Sequence, residues 1–272
     1  MTIDTIVTDL DDTLLNEEGK ISDYTMDVLR RCMQRGIRVI PASGRMMSSM
    51  KPLVTQLQTG LPYISGNGSE LVNADHTIMD SLVLDVQISK EICAFLTDQG
   101  FYVQYYKDDY FYYAQECKAS KLYKKSTGMY GKAVGDLLSY LTFPVPKILS
   151  VSDPSEVTRV LPLIREHFGD RANFTVSKPF FIEAQPPGAT KGDALIRLAK
   201  LMKFDIANVI AFGDSLNDMS MLTVAGHSVA MGNARDDVKE ATDYICLTNA
   251  QDGLAKFIQE HILSKDAEED KM

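Results

Sequence analysis

Ile3-Asp4-Thr5-Ile6-Val7-Thr8-Asp9-Leu10-Asp11-Asp12-Thr13 begins as a β-branched, apolar run and ends in a cluster of acids. A short apolar run such as Ile3 to Val7 suits a strand buried on both faces, as in a parallel sheet. Asp9 and Asp11 stand where that strand ends, and in extended backbone they point the same way. Ligands in open α/β sheets bind at the carboxyl ends of strands, so both acids are placed to face one substrate. One carboxylate would attack while the other handles a proton. A solvated acidic turn after a strand is the plainer reading of the same residues.

Downstream, Ser22 reads as an N-cap, and Val28, Leu29, Cys32 and Met33 recur at helical spacing up to Gly36. A second strand, Ile37 to Ala42, breaks at Ser43-Gly44. A helix near Met46 to Leu57 and a short strand, Tyr63 to Ser65, follow. Strand, helix, strand, helix with short joins predicts an α/β sheet with right-handed crossovers. Asn67-Gly68 and Asn73-Ala74-Asp75 are turn signals for a flap of hairpins.

From about Ser81 the style changes. The pattern predicts helices over Ser89 to Gln99, Lys118 to Ser126, Val134 to Leu141 and Pro154 to Phe168. It predicts strands over Phe101 to Tyr106, Tyr110 to Gln115, Lys147 to Val151, Asn173 to Val176 and Phe180 to Ala184. Paired strands with helices suggest an α+β module with an antiparallel sheet. The tail returns to the first style, with a helix over Lys191 to Lys203, a buried strand over Asn208 to Phe212 and a helix from Asn217 to Ala225. A strand over His227 to Ala230 and a helix over Leu254 to Ile262 close it. Asp266 to Asp270 is a charged end expected to be disordered. The economical reading is a discontinuous α/β core of residues 1–81 and 188–272, with an α+β module, 82–187, inserted.

Three further segments carry possible chemistry. Gly213-Asp214-Ser215-Leu216-Asn217-Asp218 follows a buried strand, and its oxygens suit a hard cation, although Asp and Ser are also ordinary N-cap residues. Ser43-Gly44-Arg45 offers a hydroxyl and free N–H groups at a helix start, a phosphate cradle or simple capping. Lys191 lies at the start of a helix, where a cation is unfavourable, so its place there asks for an anion. A surface lysine is the plain alternative. Two acid clusters at the ends of separate parallel strands would together make a magnesium site on which a phosphoryl group bridges.

Composition narrows the class. The 272 residues are 45% hydrophobic and 24% charged, ordinary globular usage. A formal charge of -9 argues against a nucleic-acid partner but not against a small phosphate ester, since a bound divalent cation reverses the local field. No apolar run approaches the roughly 18 residues of a membrane span. The N-terminus lacks a basic region, and Cys32, Cys93, Cys117 and Cys246 form no Cys-x-x-Cys pair, so a cytoplasmic protein with reduced thiols is expected. His76, His167, His227 and His261 are isolated and are assigned to neither catalysis nor metal.

The four segments resemble, in order, the four motifs of the haloacid dehalogenase-like phosphatase superfamily, over nearly the whole chain. The insert between the second and third is similar to its Cof-like sugar-phosphatase branch. The resemblance implies a Rossmann-like core with an α/β cap that screens substrates. It also implies Mg2+-dependent hydrolysis of phosphate monoesters through an aspartyl-phosphate. Asp9 resembles the nucleophile and Asp11 the general acid and then base. Ser43 and Lys191 resemble phosphoryl-binding residues, as do the Leu10 and Gly44 amides. Asp214 resembles the third magnesium contact, beside the Asp9 carboxylate and the Asp11 carbonyl. Asp218 resembles an acid that orients a metal-bound water, and Asn217 a contact to phosphate or to Lys191. Asp12 departs from the family's usual Gly, adding negative charge beside the site. The acid role requires Asp11 to keep its proton near neutral pH, so its pKa should be raised by neighbouring carboxylates.

The aromatic stretches Phe101 to Tyr106 and Tyr110 to Tyr113 read as a half-buried sheet or as a lid over the leaving group. Lys107, Lys118, Lys121, Lys124 and Lys125 read as anion-steering charges or as a solvated helix face. The expected partner is a small phosphorylated metabolite, a sugar phosphate or an ester of similar size, with no nucleic acid and no membrane. The chain should be a monomer or a weak homo-oligomer. A phosphomutase on the same scaffold and a non-catalytic phospho-ligand sensor are the alternatives.

Overall fold

The computed structural model describes residues 3–264. The expected disorder of Asp266 to Asp270 falls outside them. The chain first builds β1 (Thr5–Thr8), α1 (Asp23–Gln34), β2 (Arg38–Pro41) and α2 (Met47–Leu57). An antiparallel flap follows: β3 (Tyr63–Ser65), β4 (Glu70–Val72) and β5 (Ile78–Ser81). The inserted segment supplies α3 (Val86–Asp98), β6 (Tyr102–Lys107), β7 (Tyr110–Tyr113), α4 (Lys118–Thr127) and β8 (Tyr130–Ala133). It continues with α5 (Leu137–Tyr140), β9 (Ile148–Val151), α6 (Pro154–Phe168), β10 (Asn173–Thr175) and β11 (Phe181–Gln185). The return holds α7 (Lys191–Met202), β12 (Val209–Gly213), α8 (Met219–Val224), β13 (His227–Ala230), α9 (Asp236–Glu240), β14 (Tyr244–Ile245) and α10 (Gly253–Ile258).

The fold is α/β with a parallel core sheet in the order β14-β13-β12-β1-β2. Thr5 faces Val209 on one side and Arg38 on the other, so β1 lies inside the sheet. Every residue of β1 and β12 is buried, which is why both read as apolar runs without alternation. α1 starts where the Ser22 hydroxyl accepts the Thr25 N–H, the capping bond that its sequence promises. The parallel arrangement sends the ends of β1, β2 and β12, with Asp9, Ser43 and Asp214 just beyond them, to one edge.

The inserted sheet differs from expectation. Its order is β10-β11-β9-β6-β7-β8, and β8 runs parallel to β7, so the sheet is mixed rather than antiparallel. β8 lies where no strand was expected, and the helix expected over 134–141 shrinks to α5. Tyr130-Gly131-Lys132-Ala133 is an edge strand, exposed at three of its four residues, so it lacks an apolar face to read. A Cβ on Gly131 would stand 2.6 Å from the Phe111 ring, so only glycine lets β8 approach β7. The short elements α9 and β14 were not anticipated either, being five and two residues long.

Two principal apolar cores form. One gathers β1, β2, α1, α7, β12 and α10; the other lies inside the insert, around Ile92, Tyr105, Ile148, Ile164 and Ile182. Tyr105, Tyr106, Phe111 and Tyr113 are at most 1% exposed, so the aromatic hairpin is packing and not a lid face. All four cysteines are free thiols. Among the described residues no helix is long and apolar enough to cross a membrane.

Candidate active site

At the shared sheet edge, carboxylate oxygens of Asp9, Asp214 and Asp218 lie within 4.8 Å of one another. Lys191 Nζ joins two of them, donating to Asp9 Oδ1 at 2.6 Å and to Asp218 Oδ1 at 2.5 Å. Lys191 and Asp218 are fully buried and Asp9 is 5% exposed. α7 begins at Thr190, whose hydroxyl accepts the Asp193 N–H, so Lys191 is its first residue. The anion that a cation there calls for is supplied by the two carboxylates. Asp218 Oδ2 accepts the N–H groups of Asp214 and Ser215, at 3.0 and 3.1 Å, which folds the 213–218 loop back on itself. Thr13 Oγ1 donates to Asp214 Oδ1 at 3.2 Å.

The other predicted residues are distributed around this centre. Beyond β1 the chain makes one turn over Leu10–Leu14, in which Asp12 takes φ +62°. This left-handed conformation is the one for which glycine would be the default, and Asp is among the few side chains that tolerate it. The Asp12 carboxylate pairs with Lys178 at 2.8 Å, across to the insert. Ser43 Oγ accepts the Arg45 N–H at 3.1 Å. The N–H groups of Leu10 and Gly44 donate to no acceptor among the described residues. Asn217 does not reach Lys191: its amide donates to Asn67 Oδ1 at 2.9 Å and its oxygen accepts from Ser215 Oγ at 2.5 Å.

One expectation about protonation is overturned. Burial raises the Asp11 pKa, but the Arg45 guanidinium, bonded to both its oxygens at 2.8 Å, outweighs that and holds it below the ordinary carboxylate value. Neighbouring carboxylates therefore do not keep a proton on Asp11. They act on the other acids. Burial pushes the Asp9 pKa up to about 7, against the lowering charge of Lys191 and with Asp218 and Asp11 raising it. Burial, then Asp218 and Asp9, push Asp214 up to about 9. Burial opposes the charge on Lys191, but Asp218 and Asp9 together raise its pKa further above the lysine value.

A cavity of about 690 Å³ opens over these groups, lined by Asp9, Asp11, Ser43, Asp214 and Asn217 at one end. Its far wall comes from the insert: Leu122, Tyr123, Lys125, Lys178, Phe180 and Phe181. Of the five lysines suspected of steering anions, only Lys125 lines it; Lys121 and Lys124 pair with Glu116, and Lys107 lies over the Phe143 ring. Sequence reasoning missed Arg45, Lys147, Lys178 and Glu183, all of which line the cavity. Arg45 sat within a segment already singled out; Glu183 is a buried charge within β11 and Lys147 one just before β9, and that oddity was their only signal.

Comparison with known proteins gives a consistent picture. A family model for haloacid dehalogenase-like hydrolases matches residues 6–258. The chain is 32% identical over 258 residues to the 5-amino-6-(5-phospho-D-ribitylamino)uracil phosphatase YcsE of Bacillus subtilis (strain 168), covering 95% of each. It is 28% identical over 280 residues to YwtE of the same organism, which carries the same phosphatase name, covering 94% of this chain and 96% of that one. Among solved structures, a haloacid dehalogenase-like hydrolase from Bacteroides thetaiotaomicron has a TM-score of 0.83 at 32% identity, covering 94% of this chain and 98% of that one. One from B. subtilis has a TM-score of 0.87 at 25% identity, covering 96% and 100%.

Proposed function

The chain belongs to the haloacid dehalogenase-like hydrolase family, and on that premise we propose a Mg2+-dependent phosphatase that transfers the phosphoryl group of a small metabolite to Asp9. Three carboxylates, those of Asp9 and Asp218 buried and that of Asp214 half-buried, converge beside one ammonium at the floor of a cavity and carry this reading. Residues 1–81 and 188–272 are the catalytic core in it, and 82–187 the cap.

The donor set suits the ion: clustered carboxylate oxygens are the hard ligands that Mg2+ takes, and Asp9 and Asp214 would hold it with the Asp11 carbonyl. When bound, the ion offsets the negative charge of Asp9 and of the phosphoryl oxygens. Asp9 then attacks phosphorus while the ester P–O bond breaks, and Asp11 protonates the leaving oxygen. That role requires the Arg45 guanidinium to release Asp11 when substrate enters. Asp11 next takes a proton from water, whose oxygen attacks phosphorus, freeing phosphate and restoring Asp9. Lys191, held between Asp9 and Asp218, orients the nucleophile, while Ser43 and the free amides of Leu10 and Gly44 receive phosphoryl oxygens.

The cavity lies within the size range of small-ligand sites. A ring-bearing leaving group agrees with the Leu122, Tyr123, Phe180 and Phe181 wall and with the ribitylaminouracil ester in the names of YcsE and YwtE. A phosphate-release screen across sugar, flavin and pyridoxal phosphates, with and without Mg2+, tests the activity. Acid-quenched turnover should leave the phosphoryl group on the peptide that contains Asp9. Asp9→Asn should lower kcat more than about a thousandfold without unfolding the chain; substantial residual turnover by that variant would remove the covalent route.

A further inference from the structure

A chain of buried polar side chains runs from the cap to two catalytic loops. Lys147 Nζ lies 3.0 Å from Glu183 Oε1 and donates to the Gly44 carbonyl at 2.7 Å, below the Tyr106 ring. Glu183 Oε1 also accepts from Ser177 at 2.9 Å, and its Oε2 accepts from the Asn67 amide. Asn67 in turn accepts from Asn217, which accepts from Ser215. Lys147 is 1% exposed and Glu183 2%.

Stability does not account for this pair. A buried ion pair loses in desolvation much of what it gains in attraction, and an apolar pair of similar volume often serves as well. Its placement is more informative, because it crosses from cap to core at two points. The Gly44 carbonyl belongs to the Gly44–Arg45 peptide, whose N–H is held by Ser43 Oγ. That peptide is thus pinned at both ends, which sets the loop carrying the free Gly44 N–H and the root of Arg45. Through Asn67, the same pair holds Asn217 in the loop that carries Asp214 and Asp218.

We infer that Lys147 and Glu183 are positioning residues: docked cap side chains that shape the phosphate cradle and the 213–218 loop, so that turnover depends on the cap being seated. The inference rests on the phosphatase reading above. A residue that merely recognises the leaving group would act on some esters and not on others, whereas positioning of the cradle acts on all.

The test uses the full chain with saturating Mg2+, two esters of unlike leaving group (p-nitrophenyl phosphate and the best metabolite from the screen) and inorganic phosphate as competitive inhibitor. Lys147→Met and Glu183→Gln should each lower kcat about 10- to 100-fold, by the same factor for both esters, and weaken phosphate inhibition about tenfold. The double variant Lys147→Met/Glu183→Leu strands no charge and should recover the wild-type unfolding temperature without recovering kcat; it also serves if a single variant folds poorly. Wild-type kcat and phosphate inhibition in that double variant, or a loss confined to one ester, would overturn the inference. A wild-type protein that releases no phosphate from any ester exposes a failure of the phosphatase reading itself, and the inference falls with it.

Discussion

Asp9 and Asp214 are carboxylates drawn out of water and set against each other and Asp218, and this arrangement costs the protein stability until a cation joins them. Asp214→Asn removes a carboxyl group that must otherwise take up a proton or oppose its neighbours' charges, while leaving an oxygen for Thr13. It should raise the unfolding temperature of the metal-free protein by about 2–4 °C and abolish any further rise on adding Mg2+, as read by calorimetry. Arg45→Gln makes the opposite kind of change. It frees Asp11 from its bidentate clamp, so the Asp11 pKa rises. Because the acid must carry its proton to act, the alkaline limb of the kcat/KM profile should move to higher pH; an unmoved limb would assign the acid role elsewhere. Asp9, Ser43, Lys191 and Asp214 were legible as candidates because each stands at the end of an apolar strand or the start of a helix. The grip of Arg45 on Asp11 was not, since nothing in Ser43-Gly44-Arg45 says where a long, flexible side chain turns.

Elements bring these residues together through close backbone approach. Gly192, next to Lys191, is the point where α7 meets α8: a Cβ there would stand 2.3 Å from the Ser220 carbonyl oxygen. Gly192→Ala must push the helices apart, at a cost of about 1–3 kcal/mol in urea unfolding. It should also reduce turnover by displacing Lys191 from Asp9, whereas full activity in a destabilised variant would show that the lysine tolerates the shift. The core elements were readable to within a few residues because burial on both faces leaves an unbroken apolar run, as in β12, and because caps such as Ser22 announce helix starts. β8 was not, because Tyr130 and Lys132 face outward and Gly131 is dictated by the rings of β7. The Lys147–Glu183 pairing was equally hidden, because it depends on the register between β9 and β11.

For the whole molecule, the raised carboxylates set a pH dependence. Between 3.8, the ordinary aspartate value, and about 9, the folded metal-free chain holds protons that the unfolded chain has released. Its stability should therefore fall as pH rises through that window and be unaffected by these groups below it. Mg2+ binds the ionised acids, so its stabilising effect should grow over the same range, reaching about 2.7 kcal/mol at a hundred times its Kd. Unfolding temperatures measured across pH with and without Mg2+ should diverge upward; parallel curves would mean that the acids do not hold the ion. β1 lies between β2 and β12, with Thr5 facing Val209. The nascent chain must therefore keep one edge of β1 unsatisfied until β12 has been made, with the whole cap synthesised in between. Closing so long a loop is slow, and such an open edge invites association with other chains. Translation speed and chaperone supply would then govern yield more than the finished protein's stability does.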